Sequence, residues 1–314
     1  METLSSKCSL KDAAAVTLAA EDLEALFLPS YGMLGASLRH KGEEILGRVE
    51  DLESAALKGS AAGIPLLHPW ANRLAGYSYR AAGQDVNLDP GSPVLHFDEN
   101  GLPIHGVPWP LLQWDVIEAE QDRVTARLEW SRQDLLAVFP FRHWLELTAS
   151  LASDALTLET TLAAHGDGPV PVSFGFHPYL SLPGVSRADW LLHLPPMERV
   201  VLDWKGIPIG EETPFAGLDA KVGELDLDDG FALFDEQTII SLACARRRIS
   251  IEWVAGFNYA QIYAPKNKEY VAIEPMTAPT NALKSGNGLQ LVEAGGTFRA
   301  AFRIRTEAFG PERQ

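Results

Sequence analysis

Short stretches in which apolar and polar residues alternate recur along most of this chain. In residues 171–176 the alternation predicts a strand with Phe174 and Phe176 on one face and His177 following on the other. Because Pro178 favours an extended backbone at the preceding residue, the imidazole has a defined place at the strand end. The segment therefore predicts a buried aromatic face and a polar face that ends in a titratable group.

The same alternation, interrupted by turn residues, predicts three hairpins and a C-terminal strand. The hairpins cover residues 77–88, 143–163 and 238–254, and the run Arg246–Arg248 is expected at the tip of the last one. Residues 298–305 alternate apolar side chains with arginines, which we assign to a solvated sheet face. Helical patterns are short and confined to residues 51–58 and 134–138. These features predict an all-β sandwich or barrel that forms one continuous domain over residues 1–314.

Composition limits the possible partners. The 314 residues include 26 Lys and Arg against 42 Asp and Glu, a formal charge of −16. Such a surface repels nucleic acid and anionic membranes, so we expect neither as a partner. Cys8 and Cys244 lie far apart and outside any metal-binding spacing, which is typical of a reducing compartment. No apolar run reaches the length of a membrane span, and no signal peptide is evident, so we expect a cytoplasmic protein.

The familiar motifs of cofactor and metal chemistry do not occur in the sequence. It contains no glycine-rich phosphate loop ahead of a helix, no His-Glu-x-x-His and no Gly-x-Ser-x-Gly. We therefore expect neither a cofactor nor a metal site.

A second strand, residues 270–274, offers a partner for His177. Val271 and Ile273 face one way and Glu274 faces the other, directly before a proline, as His177 does. Taken alone, His177 could be a core or capping histidine and Glu274 a solvated strand-end carboxylate. Taken together, an imidazole and a carboxylate facing one cavity make a general acid–base pair. Interconversion of sugar anomers needs such a pair and no redox cofactor.

Three other segments carry polar residues that could contact a ligand. Asn72 and Arg73 lie in an aromatic, glycine-ended loop that suits a polyhydroxylated ligand, although the arginine could equally pair with an acidic neighbour. His105 lies in a proline-bounded turn and is either a pocket group or a turn residue. Asp228, with Asp229 and a glycine after it, favours ordinary turn chemistry.

In chain order these residues resemble the aldose 1-epimerase (galactose mutarotase-like) family. The matching pieces are Asn72-Arg73, His105-Gly106, His177-Pro178-Tyr179, Asp228 ahead of Phe231, Glu274-Pro275 and Asn281. The resemblance implies a galactose mutarotase-like β-supersandwich with its site in a cleft on one large sheet.

The resemblance also implies an activity and its catalytic residues. It implies an aldose 1-epimerase, or mutarotase, that interconverts the α and β anomers of a free aldohexose or related sugar. Glu274 would be the general base at the C1 hydroxyl and His177 the general acid at the ring oxygen. Trp70 or Trp109 could stack on a sugar face.

The remaining roles implied by the family concern substrate binding. Arg73, His105 and Asp228 would bind sugar hydroxyls, and Asn72 would shape the loop beside Arg73. Because the match around Asp228 is loose, Asp229 is the alternative at that position.

Three alternative functions stay open at this point. The turn after His105 carries no arginine, which disfavours a hexose-6-phosphate 1-epimerase without excluding it. A non-catalytic carbohydrate-binding β-sandwich would use the same cleft for recognition only. A glycoside hydrolase would need two facing carboxylates, for which Glu274 and, less clearly, Asp228 are the candidates. The expected partner is a small-molecule sugar, and the protein is expected to be a monomer or a homodimer.

Overall fold

The computed structural model describes residues 8–235 and 237–309, and within them the chain is mostly β-strand. The first strands are β1 (Val16–Ala20), β2 (Leu23–Leu28), β3 (Leu34–His40), β4 (Glu43–Glu44), β5 (Leu66–Leu67), β6 (Ser78–Ala81), β7 (Gln84–Asn87), β8 (Asp115–Ala119) and β9 (Arg123–Trp130). They are followed by β10 (His143–Leu151), β11 (Ala155–Ala164), β12 (Val170–Val172), β13 (Gly175–Phe176), β14 (Tyr179–Leu180), β15 (Leu191–Leu194), β16 (Met197–Leu202) and β17 (Pro208–Phe215). The last strands are β18 (Leu218–Lys221), β19 (Leu227–Ala232), β20 (Ile239–Ala243), β21 (Arg247–Ala255), β22 (Tyr259–Ala264), β23 (Val271–Met276), β24 (Gln290–Val292) and β25 (Thr297–Ala308).

Helices are few and short in the described part of the chain. The α-helices are α1 (Leu52–Lys58), α2 (Gln133–Val138) and α3 (Ala282–Ser285), and single 3₁₀ turns cover Pro29–Tyr31, Trp109–Leu111 and Arg187–Asp189. None of the described helices is long and apolar enough to cross a lipid bilayer.

Two large antiparallel sheets carry most of the strands. One has nine strands in the order β18-β15-β20-β21-β25-β11-β10-β9-β8. The other has eight, in the order β17-β16-β19-β22-β23-β13-β5, with β14 also paired to β23. A four-stranded sheet of β1 to β4 and the pairs β12–β24 and β6–β7 complete the structure. The all-β prediction is confirmed.

The core lies between the two large sheets and is rich in aromatic rings. Phe176, from the eight-stranded sheet, lies 5.2 Å between ring centroids from Phe302 of the nine-stranded sheet. Phe257 contacts both rings, and Phe174 is completely buried beside it. Burial of so many large apolar side chains is the main stabilising term. The predicted inward face of Phe174 and Phe176 is therefore confirmed.

Several local predictions are also confirmed. The predicted hairpins at residues 77–88, 143–163 and 238–254 are β6–β7, β10–β11 and β20–β21, each with a continuous antiparallel register. Both predicted helices exist as α1 and α2, and Asp51 caps α1 by accepting a hydrogen bond from the Ser54 amide. The short helix α3 was not predicted.

Other predictions about local structure are wrong in instructive ways. The strand expected over residues 171–176 is split between β12 and β13, which belong to different sheets. Of the arginine run expected at the tip of the third hairpin, Arg246 lies in the turn, whereas Arg247 begins β21, is 8% exposed, and pairs with Glu43 at 2.7 Å. Asp228 does not lie in a turn either, because pairing of β19 with β22 holds it in a strand. Glu274 lies within β23 rather than at its end.

Candidate active site

A cleft of about 430 Å³ opens on one face of the eight-stranded sheet. Strands β19, β22 and β23 and the segment after β13 form its floor, and loops from the first third of the chain form its walls. The lining residues are Arg48, Ser60, Ala61, Asn72, Arg73, His96, Phe97, Asp98, Glu99, Ile104, His105, His177, Tyr179, Asp228, Gln261, Tyr263 and Glu274. All six site residues predicted from the sequence are among them.

The two predicted catalytic side chains meet at the floor of the cleft. Nε2 of His177 lies 3.1 Å from Oε1 of Glu274, and their side chains are 5% and 2% exposed. Gly175 permits this approach, because a Cβ there would lie 2.8 Å from the Pro275 carbonyl oxygen. The close passage of β13 against β23 therefore brings the imidazole to the carboxyl.

Tyr179 fixes the orientation of the imidazole. Its ring stacks on that of His177 with centroids 4.2 Å apart, and its hydroxyl lies 3.2 Å from Nε2. Main-chain contacts hold the same segment, since the amides of His177 and Tyr179 donate to the carbonyls of Pro65 and Gly63. The ring is thus held by packing and by hydrogen bonds before any ligand binds.

Burial shifts the pKa values of this pair in opposite directions. Removal from water raises the pKa of the Glu274 carboxyl well above its usual value, and the nearby negative charge of Asp228 raises it further. Removal from water lowers the pKa of the His177 imidazole well below 6.5, with further lowering from His105 and Arg48. Both effects favour the uncharged form of each group, with the shared proton on the Glu274 carboxyl.

Two loops that are hydrogen-bonded to each other place His105 in the lining of the cleft. The amide of Asn72 donates to Nδ1 of His105 over 3.2 Å, and the amide of His105 donates back to the Asn72 carbonyl. Because an amide N–H can only donate, the hydrogen of the neutral imidazole lies on Nε2, which can donate to a ligand. Burial lowers the pKa of His105 to about 3, so this neutral form persists at physiological pH. Both residues have positive φ angles, a conformation that asparagine tolerates better than most residues.

Arg73 lies beside this pair and is neutralised by an acidic neighbour. Its Nε donates to Asp98 over 2.7 Å, and its Nη1 donates to Asn72 over 3.3 Å. Burial raises the pKa of Asp98, but the hydrogen bonds from Arg73 and the Leu102 amide outweigh it, and the pKa is lowered overall. The ion pair with an acidic neighbour is thus confirmed for Arg73, whereas binding of a ligand by this cleft-lining residue stays a prediction.

Because side chains alternate along β19, Asp228 and its neighbour Asp229 lie on opposite faces of the sheet. Asp228 lines the cleft and accepts a hydrogen bond of 2.6 Å from Nε2 of Gln261. Asp229 is not among the lining residues and lies 3.7 Å from Arg199. Of these two neighbours, Asp228 is therefore the residue available to a ligand in the cleft.

The comparisons with known proteins agree with this geometry. The family model for aldose 1-epimerase matches residues 15–305, a range that contains every lining residue. The chain belongs to the aldose 1-epimerase family. The uncharacterized protein YihR of Escherichia coli (strain K12) is 27% identical over 256 residues, which is 77% of this chain and 80% of that protein.

Solved structures show the same fold as this family member. A galactose mutarotase-like protein from Clostridium acetobutylicum has a TM-score of 0.81 at 19% identity, with 93% of this chain and 95% of that chain covered. The Slr1438 protein from Synechocystis sp. PCC 6803 has a TM-score of 0.76 at 22% identity, with 98% and 100% covered. The predicted galactose mutarotase-like fold is confirmed.

Some predicted contributors do not reach the cleft of this epimerase-family chain. Trp70 and Trp109 are 1% and 3% exposed and pack in the core, so the prediction that either stacks on a sugar face is wrong. Asn281, one of the residues that carry the family resemblance, is not among the lining residues of the cleft. Its side chain accepts a hydrogen bond from the Ala75 amide, which braces the loop that carries Arg73.

Sequence reasoning missed several lining residues. Gln261 and Tyr263 could have been found from the alternation of β22, which places them on the face opposite the buried Ile262. Arg48 follows β4 in a segment without a pattern and gave no signal. No group of three or more His, Cys, Asp or Glu side chains among residues 8–235 and 237–309 is arranged to hold a metal ion.

Proposed function

We propose that this protein is an aldose 1-epimerase that interconverts the α and β anomers of an aldohexose or a related sugar. The observation that carries the proposal is the 3.1 Å contact between Glu274 and His177 at the floor of a polar cleft. A buried carboxyl and a buried imidazole that share a proton supply both an acceptor and a donor for a bound sugar.

In the proposed reaction the proton of the pair moves from Glu274 to His177 across their 3.1 Å contact when the sugar binds. Glu274 then accepts the proton of the C1 hydroxyl while His177 donates its proton to the ring oxygen. The bond between C1 and the ring oxygen breaks, and an open-chain aldehyde forms. After rotation about the C1–C2 bond, His177 takes its proton back from the C5 hydroxyl, the ring closes on the other face, and Glu274 returns its proton to O1.

The other predicted residues are proposed to bind and orient the ring. The Nε2–H of His105 and the guanidinium of Arg73 donate to sugar hydroxyls, whereas the carboxylate of Asp228 accepts from them. Asn72 acts through Arg73 and His105, which it holds by hydrogen bonds, and is therefore a positioning residue.

Replacement of Glu274 by glutamine tests the proposal. The side chain keeps its size but loses its basicity, so we expect the catalysed rate of mutarotation to fall by roughly two to four orders of magnitude. The assay is polarimetry of freshly dissolved α-D-glucose and α-D-galactose, corrected for the buffer-catalysed rate. Glu159→Gln makes the same change on β11 of the other sheet and serves as the control, for which we expect the wild-type rate.

The same assay separates catalysis from recognition alone. A wild-type protein that binds these sugars or their 6-phosphates by calorimetry but leaves the mutarotation of all of them at the buffer rate would be a carbohydrate-binding protein, and the proposal would fail. Full activity in the Glu274 variant would overturn the proposed mechanism.

A further inference from the structure

Arg48 is a cation in the cleft that the proposed reaction does not use. Its guanidinium lies over the rings of Tyr179 and Tyr270, 5.2 and 5.9 Å from their centroids. Among the residues that the structure describes, no carboxylate lies within ion-pair distance of it, whereas Arg73 is paired with Asp98. An arginine without an acidic partner is notable in a chain of net charge −16.

The position of Arg48 relative to the catalytic pair indicates which part of a sugar it would meet. Its Nη1 donates to the Tyr179 hydroxyl over 3.4 Å, and that hydroxyl lies 3.2 Å from Nε2 of His177. In the proposed reaction His177 faces the ring oxygen. The ring oxygen is bonded to C5, and C5 carries C6, so a substituent on C6 leaves the ring on this side. One phenol oxygen then separates the imidazole from the guanidinium.

We propose that the preferred substrate carries an anionic group on C6 and that Arg48 binds this group. The inference depends on the proposed function, because the roles of His177 and Glu274 set the orientation of the ring. A guanidinium presents several N–H donors in a planar fork that fits carboxylate, phosphate or sulfate oxygens. The hydroxyls of Ser60 and Tyr263, which line the same cleft, are further donors for such a group.

This inference revises the expectation drawn from the turn after His105. That expectation rested on the lack of an arginine next to the turn, and the turn indeed carries none. The structure supplies a cation from a different segment, between β4 and α1, so an acidic overall charge does not preclude an anionic sugar in this cleft.

The test compares glucose with its C6-charged analogues in wild-type and Arg48 variants. The probes are D-glucose, D-glucuronate, D-glucose 6-phosphate and D-glucose 6-sulfate, which together distinguish a planar carboxylate, a phosphate and a sulfate. Mutarotation rates give kcat/KM, and titration calorimetry gives affinity. Arg48→Met is the test variant, Arg48→Lys restores the charge, and Arg142→Met removes a positive charge from an exposed position that lines another hollow.

We expect wild-type kcat/KM to be higher for at least one anionic sugar than for glucose. In Arg48→Met this preference should fall about ten- to a hundredfold, the size expected for a lost charge-assisted hydrogen bond. Arg48→Lys should recover part of the preference, and Arg142→Met should keep all of it. Added salt should weaken binding of the anionic sugar more than that of glucose.

The possible failures have distinct meanings. Equal losses for glucose and the anionic sugars in Arg48→Met would show that Arg48 only supports Tyr179, and would overturn the inference. A wild-type preference for glucose would do the same while leaving the proposed function intact. If no sugar is turned over, the epimerase proposal fails, and the affinities decide on Arg48: an anionic preference that depends on it supports the binding site, and no preference overturns it.

Discussion

Gly106 follows the cleft-lining residue His105 at a place where the structure leaves no room for a side chain. It has a φ of +63°, follows His105, and lies against the backbone of residue 68. A Cβ at this position would overlap the carbonyl oxygen of His68 and lie 2.7 Å from Cδ of Pro69. We therefore use the substitution Gly106→Ala to test how this loop positions His105.

Two energetic costs, from the backbone conformation and from steric overlap, lower the stability of this variant. A matched substitution at a second glycine measures the first cost alone. The left-handed backbone costs an L-residue about 1 to 2 kcal/mol. Gly83, in the turn between β6 and β7, has a φ of +79° with nothing within 4 Å of a Cβ, so Gly83→Ala isolates that cost. At Gly106 the overlapping atoms include backbone, which cannot rotate away, and overpacking of this kind costs typically 1 to 3 kcal/mol more. We expect a total loss of roughly 2 to 5 kcal/mol.

Urea unfolding of both variants and the wild type measures the two losses. We also expect Gly106→Ala, but not Gly83→Ala, to reduce the mutarotase kcat/KM by roughly a hundredfold, because displacement of His105 by about 1 Å spoils its alignment with the sugar. If Gly106→Ala and Gly83→Ala lose the same stability to within about 0.5 kcal/mol, the backbone of residues 68 and 69 moves to make room for the added methyl group. The account of how His105 is placed would then be wrong.

Two further predictions concern pH. His68 and His143 are buried with their Nε2 atoms 2.9 Å apart, and burial lowers the pKa of His143 to about 4 and that of His68 well below 6.5. Because the unfolded chain takes up protons first, the free energy of unfolding should decrease by about 1.4 kcal/mol per pH unit for each histidine as the pH falls below about 6.5. Urea unfolding across pH 7 to 5 measures this slope, and a constant stability would contradict it. Separately, Asp228→Asn removes a negative charge that raises the pKa of Glu274, so the pH–rate profile of mutarotation should move to lower pH. Asp229→Asn is the control, and a shift to higher pH in the Asp228 variant would refute the electrostatic argument.

The sequence predicted those parts of the fold that short-range patterns determine. The hairpin β10–β11 and the aromatic face of Phe174 and Phe176 follow from alternation and turn residues alone. The order of strands in the two sheets depends on contacts between distant segments and left no local signal. The division of residues 171–176 between two sheets could not be predicted for the same reason.

The candidate site shows the same limit. Residues that match a family pattern, such as His177 and Glu274, could be named because their order along the chain is distinctive. The local pattern Asp-Asp-Gly favours a turn at Asp228, whereas pairing with β22 overrides that preference and holds the residue in a strand. Arg48 could not have been found, because its place in the cleft is set by a tyrosine 131 positions further along the chain.

The 3.1 Å contact between Glu274 and His177 lets one proton belong to either group. In the proposed reaction, each opening and reclosing of a sugar ring returns that proton to His177 and the hydroxyl proton to the sugar, so neither has to come from the surrounding buffer. We therefore expect the protein to accept either anomer as substrate and to return to the same protonation state after each turnover. Such a catalyst speeds the approach to the equilibrium mixture of anomers and leaves its composition unchanged.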